Sequence, residues 1–232
     1  MPSARRPSNW AVLFSYVAPY FAYVLAVSIP ERIVPKPVGY AIAIAASGVA
    51  LARGWRWYRP LRGPGSPALS VAVGVLAGVL GTALWIVLKA PFYRAGGEAW
   101  TAAAFGGRLV ASSTVVPIFE ELLFRGLVLL GAVQWDEARR AGSKDPLGDA
   151  LHERSILDVP PGAWTPAALA VSTVAFAAGH APGEWPAAVA YGLLMAGLWI
   201  LRRDLLSCVV AHGTTNLTLA LWVRKTGEWI LW

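Results

Sequence analysis

Residues 109–133 read LVASSTVVPIFEELLFRGLVLLGAV, an apolar run long enough to cross a bilayer. Glu120, Glu121 and Arg125 lie near its centre. A charged side chain at the middle of a membrane helix costs about 2.5–3.5 kcal/mol on insertion scales, and such residues usually mark a functional site. The run therefore predicts a membrane helix that carries a polar site.

The composition of the whole chain agrees with a membrane protein. The chain has 232 residues, of which 56% are hydrophobic and 14% charged, and its mean hydropathy is +0.53. A soluble domain usually carries about 25% charged residues. The net charge of +7 comes from Lys and Arg in short loops between apolar runs, a membrane-orientation pattern, so we expect the lipid bilayer and no nucleic acid as a partner. The single cysteine, Cys208, excludes an internal disulfide and a Cys-rich metal site.

Further apolar runs lie on both sides of the first one. They predict an all-α, polytopic membrane protein of about seven (six to eight) transmembrane helices that enclose an intramembrane cavity. We expect one membrane domain, 1–232, with accessory spans in 1–106 and the catalytic core in 107–223. Residues 134–163 are the longest hydrophilic stretch and predict a surface excursion. The additional predicted spans are 10–29, 38–52, 68–88, 164–181, 186–201 and 205–223.

The two neighbouring glutamates are expected to differ in their surroundings. Glu121 and Arg125 are four residues apart, so on a helix they face each other and can pair. Glu120 is rotated by about 100° from Glu121 and is not held by that arginine. Its free carboxylate suits a general base. The alternative is a structural ion pair beside a solvated glutamate. Pro117 removes a backbone donor and predicts a kink just before the pair.

Two of the three histidines fall within later apolar runs. His180 ends the predicted fifth span, and His212 lies in the seventh, four residues before Asn216 on the same helix face. A carboxylate with imidazoles can activate a water molecule, and an imidazole with an amide can donate hydrogen bonds to an oxyanion. These residues therefore indicate a hydrolytic site.

The order of these motifs resembles the CAAX-protease and bacteriocin-processing family of intramembrane glutamate endopeptidases. The motifs are Glu120-Glu121-x-x-x-Arg125, Phe176-x-x-x-His180 and His212-x-x-x-Asn216. The resemblance implies an endopeptidase that acts on a membrane-associated protein or peptide without a cofactor. It implies that Glu120 activates water, that His180 orients it, that His212 and Asn216 stabilise the oxyanion, and that Glu121, Arg125 and Phe176 support the site. It also implies a multi-pass protein of the bacterial inner membrane. Most loop Lys and Arg residues, including Arg5 and Arg6, fall on the side of the membrane that carries the N-terminus. Because cytoplasmic loops are enriched in Lys and Arg, this predicts a cytoplasmic N-terminus.

Other readings remain open on the residues alone. Glu120, His180 and His212 could form a three-ligand zinc site with an open position, which would make the same hydrolase zinc-dependent. A non-catalytic scaffold or immunity protein could use the cavity to bind a peptide. Buried glutamate and histidine could also relay protons in a transporter, although no inverted repeat is visible.

Overall fold

The computed structural model describes residues 7–93 and 96–232, and the described chain is helical, with no strand. Arg5 and Arg6, which contribute to the predicted orientation, lie outside the described residues. The main helices are α1 (Asn9–Val27), α2 (Lys36–Gly54), α3 (Pro67–Lys89), α4 (Ala102–Ser113), α5 (Val115–Glu121), α6 (Leu129–Arg140), α7 (Pro146–Gly148), α8 (Pro166–Ala178), α9 (Trp185–Arg202) and α10 (Leu205–Thr226). Single 3-10 turns lie at Trp55–Trp57, Ala90–Phe92, Ile156–Asp158, Pro182–Glu184 and Trp229–Leu231.

Within the described ranges, five helical stretches are long and apolar enough to cross a membrane. They agree with the first, second, third, sixth and seventh predicted spans, and their outer faces expose large apolar side chains such as Phe14, Leu76 and Leu201. The predicted fifth span is shorter than expected, because its helix, α8, has only 13 residues. The bounds of the five stretches are Asn9–Val27, Lys36–Trp57, Pro67–Phe92, Pro182–Arg202 and Leu205–Thr226.

The predicted fourth span is wrong as a single helix. The backbone breaks at Thr114 (φ −123°, ψ −75°), between α4 and α5. Pro117 lies in the first turn of α5, where the missing N–H costs no helical hydrogen bond, so it begins a helix instead of kinking one. A π-helical segment, Leu122–Val128, then joins α5 to α6. π-Helical segments are rare in proteins, and those that occur often lie at functional sites.

Helix α10 packs directly on α3 through small residues. A Cβ atom added at Gly74 would lie 2.8 Å from the Ser207 carbonyl oxygen, and one at Gly78 would lie 2.5 Å from Cβ of Thr214. The Thr215 hydroxyl donates to the Gly78 carbonyl at 2.8 Å. The glycine face of the third span therefore brings α10, which carries His212, close to α3.

Residues 134–163 are not the surface excursion that their polarity predicted. Helix α6 continues to Arg140, and the rest of the segment folds back onto the start of α1. There the buried Asn9 side chain donates to Gln134 Oε1 at 2.6 Å and to the Ala150 carbonyl at 2.7 Å. The apolar Ile156 is fully buried. The segment therefore forms part of the packed structure at the N-terminal end of α1.

Candidate active site

A cavity of about 350 Å³ lies between the helices that carry the sequence motifs. Glu120, Phe176, His180, His212 and Asn216 all line it. These residues come from α5, α8, the turn after α8, and α10. The fold thus brings three separate motifs of the sequence to one place.

Glu121 lies behind the cavity wall and is fully buried. Its Oε1 atom lies 3.3 Å from Nη1 of Arg125, so the predicted ion pair is present. The same oxygen lies 2.9 Å from Nδ1 of His212, a contact that the sequence did not predict. Arg125 also donates to the Gly192 carbonyl at 3.2 Å, and its guanidinium lies 5.0 Å from the ring centre of Phe176.

Glu120 is in a different position from its neighbour. Its side chain is 17% exposed and faces the cavity, and its Oε2 lies 3.8 Å from Nε2 of His212. That separation is too long for a direct hydrogen bond but is one that a single water molecule can bridge. The Glu121 carboxylate is an acceptor, so the short contact places a proton on Nδ1 of His212. Nε2 is then the nitrogen that faces Glu120.

Asn216 lies one turn further along α10 and contacts the end of α4. Its Nδ2 donates to the Ser112 carbonyl at 2.7 Å. This carbonyl belongs to the last turn of a helix, where no backbone N–H is available to it, because the chain breaks at Thr114. An amide nitrogen has two N–H groups, so the second one remains for a group in the cavity. Gly213 permits this approach, since a Cβ there would lie 2.7 Å from the Ser113 carbonyl oxygen.

His180 lies in the turn that follows α8. Its Nδ1 lies 3.0 Å from the Phe176 carbonyl oxygen, to which it donates, and its own carbonyl accepts from the indole N–H of Trp185 at 3.1 Å. The imidazole ring lies 4.8 Å from the ring of Phe176 and 5.3 Å from that of Trp85. These contacts fix the ring, and Nε2 has no backbone partner among the described residues.

A family model described as "Type II CAAX prenyl endopeptidase Rce1-like" matches residues 102–218. The chain belongs to this family. The matched region contains Glu120, Glu121, His180, His212 and Asn216. No curated protein and no solved structure matched the chain.

Membership of the CAAX endopeptidase family, together with the apolar helices, identifies an integral membrane protein of a protease family. The resemblance predicted from the three motifs is confirmed. The roles of the individual site residues, and the division into accessory spans and a catalytic core, stay predictions.

The three candidate zinc ligands all line the cavity. In residues 7–93 and 96–232, no group of three or more His, Cys, Asp and Glu side chains is arranged to hold a metal ion. Glu120, His180 and His212 share the cavity without forming such a group. The zinc-dependent alternative stays a prediction.

Several residues that line the cavity were not predicted from the sequence. Tyr20 and Tyr23 of α1, Trp85 of α3 and Tyr191 of α9 form its walls, and Tyr191 donates to Oγ1 of Thr215 at 3.2 Å. An aromatic residue in an apolar helix gives no sequence signal that distinguishes a cavity wall from ordinary packing. Arg108 also lines the cavity. In the sequence it counted only as one of the Lys and Arg residues between apolar runs that indicate membrane orientation.

Proposed function

We propose that the chain is an intramembrane endopeptidase in which Glu120 activates a water molecule that attacks a peptide bond of a membrane-associated protein or peptide. One observation carries this proposal. Of the two adjacent carboxylates, Glu121 is engaged by Arg125 and His212, whereas Glu120 faces the cavity and lies 3.8 Å from Nε2 of His212. A water molecule between those two atoms would contact a base on one side and an imidazole on the other.

The chemistry needs no covalent enzyme intermediate. Glu120 takes a proton from the water, and the resulting hydroxide adds to the carbonyl carbon of the substrate. The tetrahedral intermediate carries its negative charge on the former carbonyl oxygen. The C–N bond then breaks, and the proton held by Glu120 passes to the leaving amine. His180, fixed through Nδ1, would help to orient the water through Nε2.

Asn216 and His212 are the proposed oxyanion donors. Asn216 is held by the Ser112 carbonyl and has one N–H to spare. His212 uses its Nδ1 proton for Glu121, so it can donate to the oxyanion only from a protonated Nε2, as imidazolium. Donors fixed before the reaction stabilise developing charge without reorganisation. We further propose that the protein lies in a bacterial inner membrane with its N-terminus in the cytoplasm, as the loop charges indicate.

The test compares detergent-purified wild type with Glu120→Gln on membrane-anchored peptides whose cleavage is followed by mass spectrometry. Glu120→Gln keeps the shape of the side chain and removes the base, so cleavage should fall to background while the protein stays folded. The matched control is Glu153→Gln, the same change at an exposed position outside the cavity, which should retain wild-type cleavage.

Each assay is repeated with a strong zinc chelator. Cleavage that survives the chelator supports the glutamate mechanism, whereas loss that added zinc restores would replace it with a metal mechanism. Cleavage retained by Glu120→Gln would refute the role of Glu120. Peptide binding without cleavage by folded wild type would favour the scaffold.

A further inference from the structure

Arg108 is the one Lys or Arg among the described residues that line the cavity. It lies on α4, one turn before Ser112, and both residues face the cavity. The side chain is half-buried. The cavity lies between membrane helices, where a cation is costly, so the partner of Arg108 indicates what the cavity binds.

The guanidinium of Arg108 is held by aromatic groups. Its Cζ lies 4.8 Å from the ring centre of Trp232 and 5.2 Å from that of Trp100, and the Tyr40 hydroxyl interacts with it. Within residues 7–93 and 96–232, no carboxylate forms an ion pair with it. Aromatic faces hold a cation in place but leave the N–H groups of the fork available for an anion.

The two acidic residues that line the cavity face groups other than Arg108. Glu184 pairs with Lys89 at 2.5 Å, and Glu120 faces His212. Neither is therefore the counter-ion of Arg108. The positive charge of Arg108 is left for a group that the cavity receives from outside.

We infer that Arg108 binds the free C-terminal carboxylate of the peptide substrate, and so determines that the enzyme cleaves near a C-terminus. The inference rests on the proposed function, because it takes the Asn216 end of the cavity as the position of the reacting carbonyl. A C-a-a-X sequence places the modified cysteine fourth from the C-terminus, so the leaving peptide has three residues.

The dimensions agree with this placement. Three extended residues span about 10 Å. Ser112, whose carbonyl holds Asn216, is separated from Arg108 by one helical turn, about 6 Å along the axis of α4. The Arg108 guanidinium lies over Trp100, which precedes α4, so the side chain points away from Ser112. A carboxylate three residues beyond a carbonyl at Asn216 therefore arrives near the guanidinium, which can bind it through two parallel hydrogen bonds.

The test uses an octapeptide with S-farnesylcysteine four residues from its C-terminus, made as the free acid and as the C-terminal amide. Binding of both to the full-length Glu120→Gln protein in detergent is measured alongside cleavage by wild type. The acid should bind roughly tenfold to a hundredfold more tightly than the amide, the range of a charge-assisted hydrogen bond. Arg108→Gln in the same background should abolish the difference by weakening the acid alone. Arg108→Lys should keep part of it, because it retains the charge.

The control is Arg224→Gln, which removes a nearby exposed arginine that lies over Phe105 and does not line the cavity. It should leave the preference unchanged.

A third peptide, an amide with a glutamate as its last residue, separates an α-carboxylate from an acidic side chain. If this peptide binds as tightly as the free acid, the α-carboxylate assignment is overturned. Equal binding of acid and amide, or binding of neither, would overturn it as well. Since binding is measured without turnover, an acid preference with no cleavage would refute the proposed function and leave the assignment of Arg108 standing.

Discussion

Replacement of Arg125 by methionine should strongly destabilise the fold, because it leaves the charge of Glu121 buried without its partner. Both side chains are at most 1% exposed, and the pair is i, i+4 on one helix. Removing one partner of a buried ion pair costs about 3–5 kcal/mol. Arg125→Met also removes the bond to the Gly192 carbonyl and the cation–π contact with Phe176, which together contribute about 2 kcal/mol. We expect a total loss of about 5–7 kcal/mol in the free energy of unfolding.

The double variant Glu121→Gln/Arg125→Met separates the orphaned charge from the other losses. Glutamine is neutral, and its side-chain oxygen can still accept from Nδ1 of His212. What remains is the lost Gly192 contact and the lost cation–π contact with Phe176, together about 2 kcal/mol. The double variant should therefore be more stable than Arg125→Met by about 3–5 kcal/mol, the cost of the unpaired buried charge. SDS titration of the purified proteins in mixed micelles, followed by circular dichroism, measures these differences. A double variant no more stable than the single one would refute the reasoning.

Two further predictions concern α10. Asn216→Ala should lower kcat by about 10²–10³ with little change in KM, because it removes an oxyanion donor. Steady-state kinetics of peptide cleavage measures both constants. A raised KM at unchanged kcat would contradict the assignment. Gly78→Ala should destabilise by about 1–3 kcal/mol, because its Cβ would lie 2.5 Å from Cβ of Thr214 and force α3 away from α10. Gly48→Ala in α2, with nothing within 4 Å of the new Cβ, should instead be neutral or stabilising by up to about 1 kcal/mol, and equal effects of the two changes in thermal unfolding would count against the packing argument.

The long helices were predictable because apolar runs of about 20 residues carry a strong and local signal. The runs predicted at 10–29 and 205–223 agree closely with α1 and α10. The Glu121–Arg125 pair was predictable for the same reason, since helical spacing alone brings the two side chains together.

The break at Thr114 could not be predicted in this way. Residues 109–133 stay apolar on both sides of Thr114, so hydropathy does not mark the break. The end of α4 is instead stabilised by contacts with α10. There Asn216 supplies a donor to the Ser112 carbonyl, and Gly213 lets the backbones approach. The burial of residues 134–163 depends likewise on a distant residue, Asn9, whose side chain bonds to that segment. Long-range contacts of this kind leave no periodic pattern in the sequence.

The contact between Glu121 and His212 connects the supporting pair to the proposed chemistry. Glu121 accepts from Nδ1 of His212 at 2.9 Å, which orients the imidazole and places its Nε2 3.8 Å from Glu120. Loss of Glu121 would therefore disturb the tautomer and the direction of His212 as well as the ion pair. In the proposed mechanism the two glutamates thus act on the two nitrogens of one histidine, Glu121 by fixing Nδ1 and Glu120 by sharing a reacting water with Nε2. The proposal therefore gives both carboxylates a role although only one of them faces the cavity.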